Sequence, residues 1–454
     1  MTIKKNDLIE LKIEDITFDG NGIGKINGMV VFVANCAVGD SLKVKILKVK
    51  KNYAFAKIES YIKKSKDRVD IDCENAGKCG GCVFRHINYE AELKLKESWV
   101  KDTIERIGGI KDLKIEKIIG SEKVDNYRNK AQLPICKNKY GQYELGFFAS
   151  HSHRVIDCKN CFLHPPVFND IIRAFKRWAT QTKASVYDEK TGKGMLRHLY
   201  IRIAESTGEI MVCVVANSVS LKNEKQLVED LKGCSKNIFS IVINSNLDKT
   251  NVILGQDNRV IWGKPYITDI MCGLKFNISP NSFYQVNKLQ AENLYSLARR
   301  YADLKSDEIL LDLYCGTGTI GLTMARDCKK LIGVEIVEQA IENAKENAKA
   351  NHIENSEFIC ADALKSVEVL LKKGELPDAV IIDPPRKGCS EDLIHIITEK
   401  LLPKRVVYVS CDPATLARDL KIFKAKGYEP MVLTPVDMFP RTSHVECVVL
   451  LLKV

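Results

Sequence analysis

Over the first sixty residues, apolar side chains recur at about every second position, the period of a strand with one buried face. Short strands are predicted over 8–13, 22–26, 29–33, 41–49 and 53–62. Asp19-Gly20-Asn21-Gly22, Asn27-Gly28 and Val38-Gly39-Asp40 supply turns between them. Five short strands joined by glycine turns predict a small closed, OB-like β-barrel over 1–62. The pattern then becomes mixed. A helix over 89–107 and a second helix starting near Pro165-Pro166 are interspersed with strands over 131–136, 144–148, 198–204, 210–216 and 238–243. The expectation for 63–278 is a central α+β domain. From 279 to 454 apolar runs over 308–313, 330–335, 357–360, 379–382, 405–409, 431–435 and 444–452 are separated by helical segments, most clearly 338–350. That alternation predicts an α/β domain with a doubly wound, Rossmann-like parallel sheet. Ligands of such sheets gather at the carboxyl ends of the strands.

Composition narrows the class. With 454 residues, 45% hydrophobic and 28% charged, the chain reads as a soluble protein of two or three domains. The start carries no secretory signal, and no apolar run reaches the roughly 18 residues of a membrane helix, so a cytoplasmic protein is expected. The net charge of +11 is uneven: ten Lys and Arg lie between Ser41 and Arg68, against Glu59 and Asp67. Tyr53, Phe55 and Tyr61 interleave with them, which favours a nucleic-acid partner over a merely solvated lysine face. Barrels of this type present one face to single strands. Sixteen cysteines in such a chain argue against disulfides. Cys36, Cys136, Cys213, Cys234, Cys272, Cys328, Cys360 and Cys447 sit among apolar neighbours and are read as core.

Several strand ends carry chemistry. Leu313-Tyr314-Cys315-Gly316-Thr317-Gly318-Thr319 is a glycine loop between a strand and a helix. Gly316 and Gly318 let backbone N–H groups approach a ligand, and Gly321 lets the helix pack closely. Glu335 ends the next strand, where an acid suits ribose hydroxyls, and Asp362 follows the third, within reach of an adenine amino group. These features alone fit NAD-linked dehydrogenases equally well. Asp383-Pro384-Pro385, ending the fourth strand, points instead to adenosylmethionine-dependent methyltransferases. Cys411, in Ser410-Cys411-Asp412-Pro413, then selects the reaction. Methylating nitrogen needs only a lone pair, whereas C5 of a pyrimidine becomes nucleophilic when a thiolate adds to C6. A base must afterwards remove the C5 proton, and Glu446 in His444-Val445-Glu446 is the candidate. His444 is given no catalytic role. A separate constellation, Cys73-x5-Cys79-Gly80-Gly81-Cys82, is a strong ligand signature one thiol short of four. His151-Ser152-His153-Arg154 and Cys158-x2-Cys161 offer the fourth ligand, for zinc or for an iron–sulfur cluster.

Taken together, the chain resembles bacterial RNA uracil-C5 methyltransferases, which make 5-methyluridine in ribosomal and transfer RNA. Asn281-Ser282-Phe283-Tyr284-Gln285-Val286-Asn287, Leu311-Asp312-Leu313-Tyr314-Cys315-Gly316-Thr317-Gly318, Asp383-Pro384-Pro385-Arg386, Ser410-Cys411-Asp412-Pro413 and His444-Val445-Glu446 occur in the family's order. The resemblance implies Cys411 as nucleophile and Glu446 as base. It implies adenosylmethionine contacts from Gln285, Tyr314, Glu335 and Asp383, with Thr319 and Asp362 added. The barrel is similar to the TRAM domain of the ribosomal-RNA branch. That branch holds a [4Fe-4S] cluster, here matched by Cys73, Cys79 and Cys82, with Cys161 fitting the fourth place better than Cys158. Tyr127-Arg128, in Asn126-Tyr127-Arg128-Asn129-Lys130, matches a motif near the RNA. Methyl transfer moves no net electrons, so the cluster's expected role is structural. The expected substrate is 23S ribosomal RNA, with no obligate protein partner. Transfer RNA is the nearest alternative, and a non-catalytic iron–sulfur RNA-binding protein is a second. A DNA cytosine methyltransferase is disfavoured, because Ser410 and not proline precedes Cys411.

Overall fold

The computed structural model describes residues 3–150 and 152–454; His151, one of the candidate fourth ligands, lies outside the described residues. The chain divides into two compact units. One comprises Met1–Trp99, Phe148–Ile156 and Phe439–His444, the other Val100–Phe147, Asp157–Met438 and Val445–Val454.

In the first unit, strands run in the order Leu8–Lys12, Ser41–Val49, Tyr53–Lys63, Met29–Ala34, Asn21–Ile26 and Asp15–Ile16. The alternation read from the sequence turns Leu42, Val44, Ile46, Ala54 and Val31 into a shared core with Leu11 and Ile13. Lys43, Tyr53, Phe55 and Lys57 take the opposite, solvated face. There Phe55 stands in register between Phe32 and Lys48, and the Phe32, Tyr53 and Phe55 rings lie 5.6–5.8 Å apart. Asp15–Ile16 escaped the sequence reading because two residues carry no period. The buried Asp40 carboxylate accepts the N–H groups of Ala37 (2.7 Å) and Ser65 (2.9 Å) and the Arg68 guanidinium (2.7 Å). Cys73, Cys79 and Cys82 follow in a turn-rich loop.

A mixed sheet runs Val155–Asp157, Tyr143–Phe148, Lys130–Lys137, Leu196–Ile203, Ile210–Ala216, Ile238–Ser245 and Asp257–Gly263 in that order. The helix Val167–Thr182 packs Phe168, Phe175 and Trp178 into its core. The larger sheet runs Ser356–Cys360, Lys330–Glu335, Ile309–Leu313, Ala379–Ile382, Arg405–Ser410, Glu446–Lys453, Tyr428–Val436 and Lys114–Ile115. Its first five strands are parallel, and the central run Ala379–Ile382 is buried throughout. The doubly wound α/β architecture is therefore present. Strand order reverses at Ile309–Leu313, which makes its carboxyl end the switch point. Lys114–Ile115 joins the far edge from well upstream, again too short to read from sequence.

Cys272 and Cys360, read as core, are exposed. Cys272 turns a hairpin at φ 50° between Ile267–Met271 and Leu274–Ile278, and Cys360 ends the sheet's edge strand. Apolar neighbours in sequence did not bury a turn or an edge. Cys136 and Cys234 are half-buried, while Cys36, Cys213, Cys328 and Cys447 are core. Among the described residues no helix is long and apolar enough to cross a membrane.

Candidate active site

Strand register brings the sequence-predicted residues to one edge. Leu313 pairs with Val334 and with Ile382, and Ile382 pairs with Tyr408. The residues that follow, Tyr314, Glu335 and Asp383, thus leave neighbouring strands at one level. Ser410 pairs antiparallel with Cys447, which sets Cys411 opposite Glu446. Cys411 is held where strand becomes helix. Asp412 caps the helix Pro413–Ala425, accepting N–H groups of Ala414 (2.9 Å) and Thr415 (3.0 Å), and Pro413 occupies its first turn. The turn leaves the Cys411 thiol half-buried.

Four side chains share the field at this edge. Burial, then the negative charges of Glu446 and Asp383, push the Cys411 thiol up to about 11, and Arg386 pulls it down. Burial and Asp383 raise Glu446 to about 8, again opposed by Arg386. Burial alone raises Asp383 to about 7. Three acids crowded beside one guanidinium form a site that favours an added positive charge.

The glycine loop offers a cradle. Tyr314, Gly316 and Gly318 take left-handed φ of 64°, 54° and 79°. A Cβ on Gly316 would meet nothing within 4 Å, whereas one on Gly321 would come within 2.7 Å of Asp312 Oδ2. One glycine faces open space and the other faces packing. Glu335 is held by backbone N–H groups of Gly316 (3.3 Å), Ile336 (2.8 Å) and Val337 (3.0 Å). Asp362 is exposed and caps the helix Ala363–Lys373 through the Leu364 N–H (3.0 Å), while its charge acts on Tyr314. The segment bearing Gln285 is pinned from outside. Asn129 donates its backbone N–H to Val286 O (2.8 Å) and its side-chain amide to Gln285 O (3.0 Å), and Arg202 donates to Tyr284 O (3.0 Å). The Asn126–Lys130 motif thereby acts on a segment expected to contact the cofactor.

Sequence reasoning missed Tyr295. This fully buried residue of the helix Lys288–Ala302 donates its hydroxyl to Thr319 Oγ1 (3.2 Å) and also bonds the Gln285 side chain. It ties two expected cofactor contacts together, yet at helical spacing it looks like any core aromatic. Asp312, inside the glycine-loop motif, was also passed over. It accepts the Gly321 N–H at 2.9 Å, and burial raises it to about 7.

The cysteine loop is less assembled. Cys73, Cys79 and Cys82 are half-buried cysteines of the first unit, with the Gly81 N–H donating to Cys79 Sγ at 3.3 Å. Cys158 and Cys161 belong to the second unit. Hydrogen bonding with Cys158 and, against the effect of burial, with His164 (Nδ1 3.2 Å from Sγ) holds the Cys161 thiol below its ordinary range. Among the described residues no group of three or more His, Cys, Asp or Glu forms a metal shell.

Comparison with known proteins gives the family. The tRNA (Uracil-5-)-methyltransferase family model matches residues 88–454, and a TRAM domain model matches 4–58. Proteins described as uncharacterized RNA methyltransferases from Clostridium tetani and Clostridium acetobutylicum are each 44% identical, covering 99% and 100% of this chain and 97% and 98% of theirs. The crystal structure of Pyrococcus abyssi tRNA (uracil-54, C5)-methyltransferase with S-adenosyl-L-homocysteine is similar at a TM-score of 0.77 and 29% identity. That likeness covers 98% of this chain and 99% of that one.

Proposed function

The chain belongs to the tRNA (uracil-5-)-methyltransferase family, and on that premise we propose that it methylates C5 of an RNA uridine through a covalent bond from Cys411 to C6. Adenosylmethionine, when bound, supplies an electrophilic methyl group on a positively charged sulfur. The open face of Gly316, the carboxylate of Glu335 and the charge of Asp383 fit that cation and its ribose. The target uridine is turned out of its stack into the cleft. The Cys411 thiolate then adds to C6, and the ring's electrons move to O4 and C5. C5 takes the methyl group, the Glu446 carboxylate accepts the C5 proton, and the C6–S bond breaks to return the thiolate. Arg386 favours the charged form of both side chains. The observation that carries this reading is the Ser410–Cys447 register, which sets nucleophile opposite base.

The polymer proposed is 23S ribosomal RNA, supported by the lysine-bearing barrel and the cysteine loop. Transfer RNA is the second reading. It is favoured by the Pyrococcus abyssi enzyme, whose likeness extends over a length that includes the barrel. Purified protein, methyl-labelled adenosylmethionine and each RNA class in turn, followed by mapping of 5-methyluridine, separates the two. Label in transfer RNA with none in ribosomal RNA overturns the first. RNA bearing 5-fluorouridine should be trapped on a Cys411 peptide, and no trapping would reject the adduct.

We also propose a [4Fe-4S] cluster on Cys73, Cys79 and Cys82, with Cys161 as the sequence-level fourth ligand. Its support is the donor chemistry, three half-buried thiols within ten residues and an N–H directed at Cys79 Sγ. Anaerobic purification should give a brown protein with iron and sulfide, lowered in Cys161→Ser more than in Cys158→Ser. A colourless zinc protein excludes the cluster. The division into 1–62 for RNA grip, 63–278 as a central domain and 279–454 for methyl transfer completes the proposal.

A further inference from the structure

Asp383-Pro384-Pro385-Arg386-Lys387-Gly388-Cys389 leaves its strand carrying Arg386, the cation that acts on both Cys411 and Glu446. Arg386 is exposed, so burial of its own side chain does not fix it. The far end of the loop is fixed instead. Asp419, fully buried on the helix Pro413–Ala425, accepts the Cys389 N–H (2.9 Å) and the Tyr408 hydroxyl (2.6 Å) on Oδ2. Its Oδ1 accepts Arg418 Nε (2.8 Å), and Arg418 Nη2 donates onward to the carbonyls of Lys387 (3.0 Å) and Cys389 (3.2 Å). Gly388 has a left-handed φ of +74°, and a Cβ there would fall 2.5 Å from Asp419 Oδ2 and 2.6 Å from Arg418 Nη2. Only glycine lets the backbone approach this clamp. Tyr408 lies on the strand that ends at Ser410, and Asp419 on the helix that starts just after Cys411.

One carboxylate therefore joins the Arg386 loop to both elements that hold Cys411. Apolar residues of similar volume would pack that helix at no smaller stability, so a buried charge with three donors calls for a geometric reason. We propose that Asp419 is a positioning residue: with Arg418 and Tyr408 it fixes the Arg386 loop so that the guanidinium favours the Cys411 thiolate and the Glu446 carboxylate. The inference rests on the reading of Cys411 as nucleophile.

Asp419→Asn in the full chain keeps shape and one acceptor but loses the charge. Three readouts apply: kcat, KM for adenosylmethionine, and the pH dependence of Cys411 alkylation by iodoacetamide, resolved by peptide mass spectrometry. Expected are a kcat lower by roughly 10- to 100-fold and a KM within about threefold. The alkylation midpoint should move to higher pH, because a displaced Arg386 no longer pulls the thiol down. Arg386→Gln should give the same alkylation shift, and the double variant no further shift. A wild-type alkylation profile in Asp419→Asn, or additive shifts in the double variant, overturns the proposal. Should Asp419→Asn not fold, Tyr408→Phe removes one donor only and must shift the profile the same way by less; an unmoved profile is again fatal. Cys411→Ser run in parallel keeps the two claims apart. Its retention of activity defeats the nucleophile reading, while the Cys411 alkylation shift still reports on the clamp.

Discussion

Asp40 in the barrel unit and Glu446 in the larger sheet are both carboxylates withdrawn from water, and they titrate in opposite directions. Burial pushes Asp40 up, but hydrogen bonds from Arg68, Ala37 and Ser65 outweigh it and hold the group below its ordinary range. Burial pushes Glu446 to about 8, Asp383 adds to it, and the opposing charge of Arg386 does not compensate. The same functional group is thus a fastener in one region and, on the mechanism proposed, a proton acceptor in the other. Partners, and not depth, separate structure from chemistry.

The comparison predicts unequal responses to mutation. Cys411→Ala should lower methyl transfer on the order of 10^4-fold without unfolding the chain, as measured by label incorporation and circular dichroism. Activity within tenfold of wild type would remove the premise. Glu446→Gln should cost roughly 10^2- to 10^4-fold and leave methylated RNA covalently attached, visible as a shifted band on a denaturing gel. Since Glu446 must be ionised to accept a proton, the wild-type rate should climb as pH rises through about 8. Asp40→Ala strands a mostly buried Arg68 and should destabilise the first unit by about 3–5 kcal/mol, read by denaturant melts. Because Asp40 is depressed, its contribution is present above the ordinary value of 3.8 and is lost as pH falls below it. On the barrel's solvated face, Phe55→Ala should weaken RNA binding by about 1–3 kcal/mol, and Lys45→Ala should reduce the salt slope by about 1. The smallest effect concerns Glu446 as a structural liability. Its folded pKa is raised, so the stability it contributes at low pH is lost as pH rises from about 4.5 toward 8. Glu446→Gln should therefore melt about 2 °C higher at pH 8, and an equal or lower Tm would contradict a strained, desolvated carboxylate.

Much of this was legible before any coordinates. Asp383, Glu335 and Cys411 announce themselves because an apolar run stops and a polar residue with chemical capacity follows. Glu446 was legible only with Cys411 in hand, since a strand carboxylate alone says nothing. Tyr295 and Asp419 were not legible. Their partners, Gln285, Thr319, Cys389 and Tyr408, come from other elements, and a helical period reports only which way a side chain faces. Cys272 and Cys360 failed for a related reason, because neighbours along the chain say little about a hairpin turn or a sheet edge.

Lys114–Ile115 also has a practical consequence. It pairs with Val432 and Leu433 along the outermost long strand of the large sheet, and Ile119 bridges to Val436 just beyond. An excised fragment starting at 279 would bare that row of amides and carbonyls, an adhesive border for any other extended chain. Such a fragment should collect in inclusion bodies, whereas one that begins before residue 110 keeps its own hem and stays dispersed.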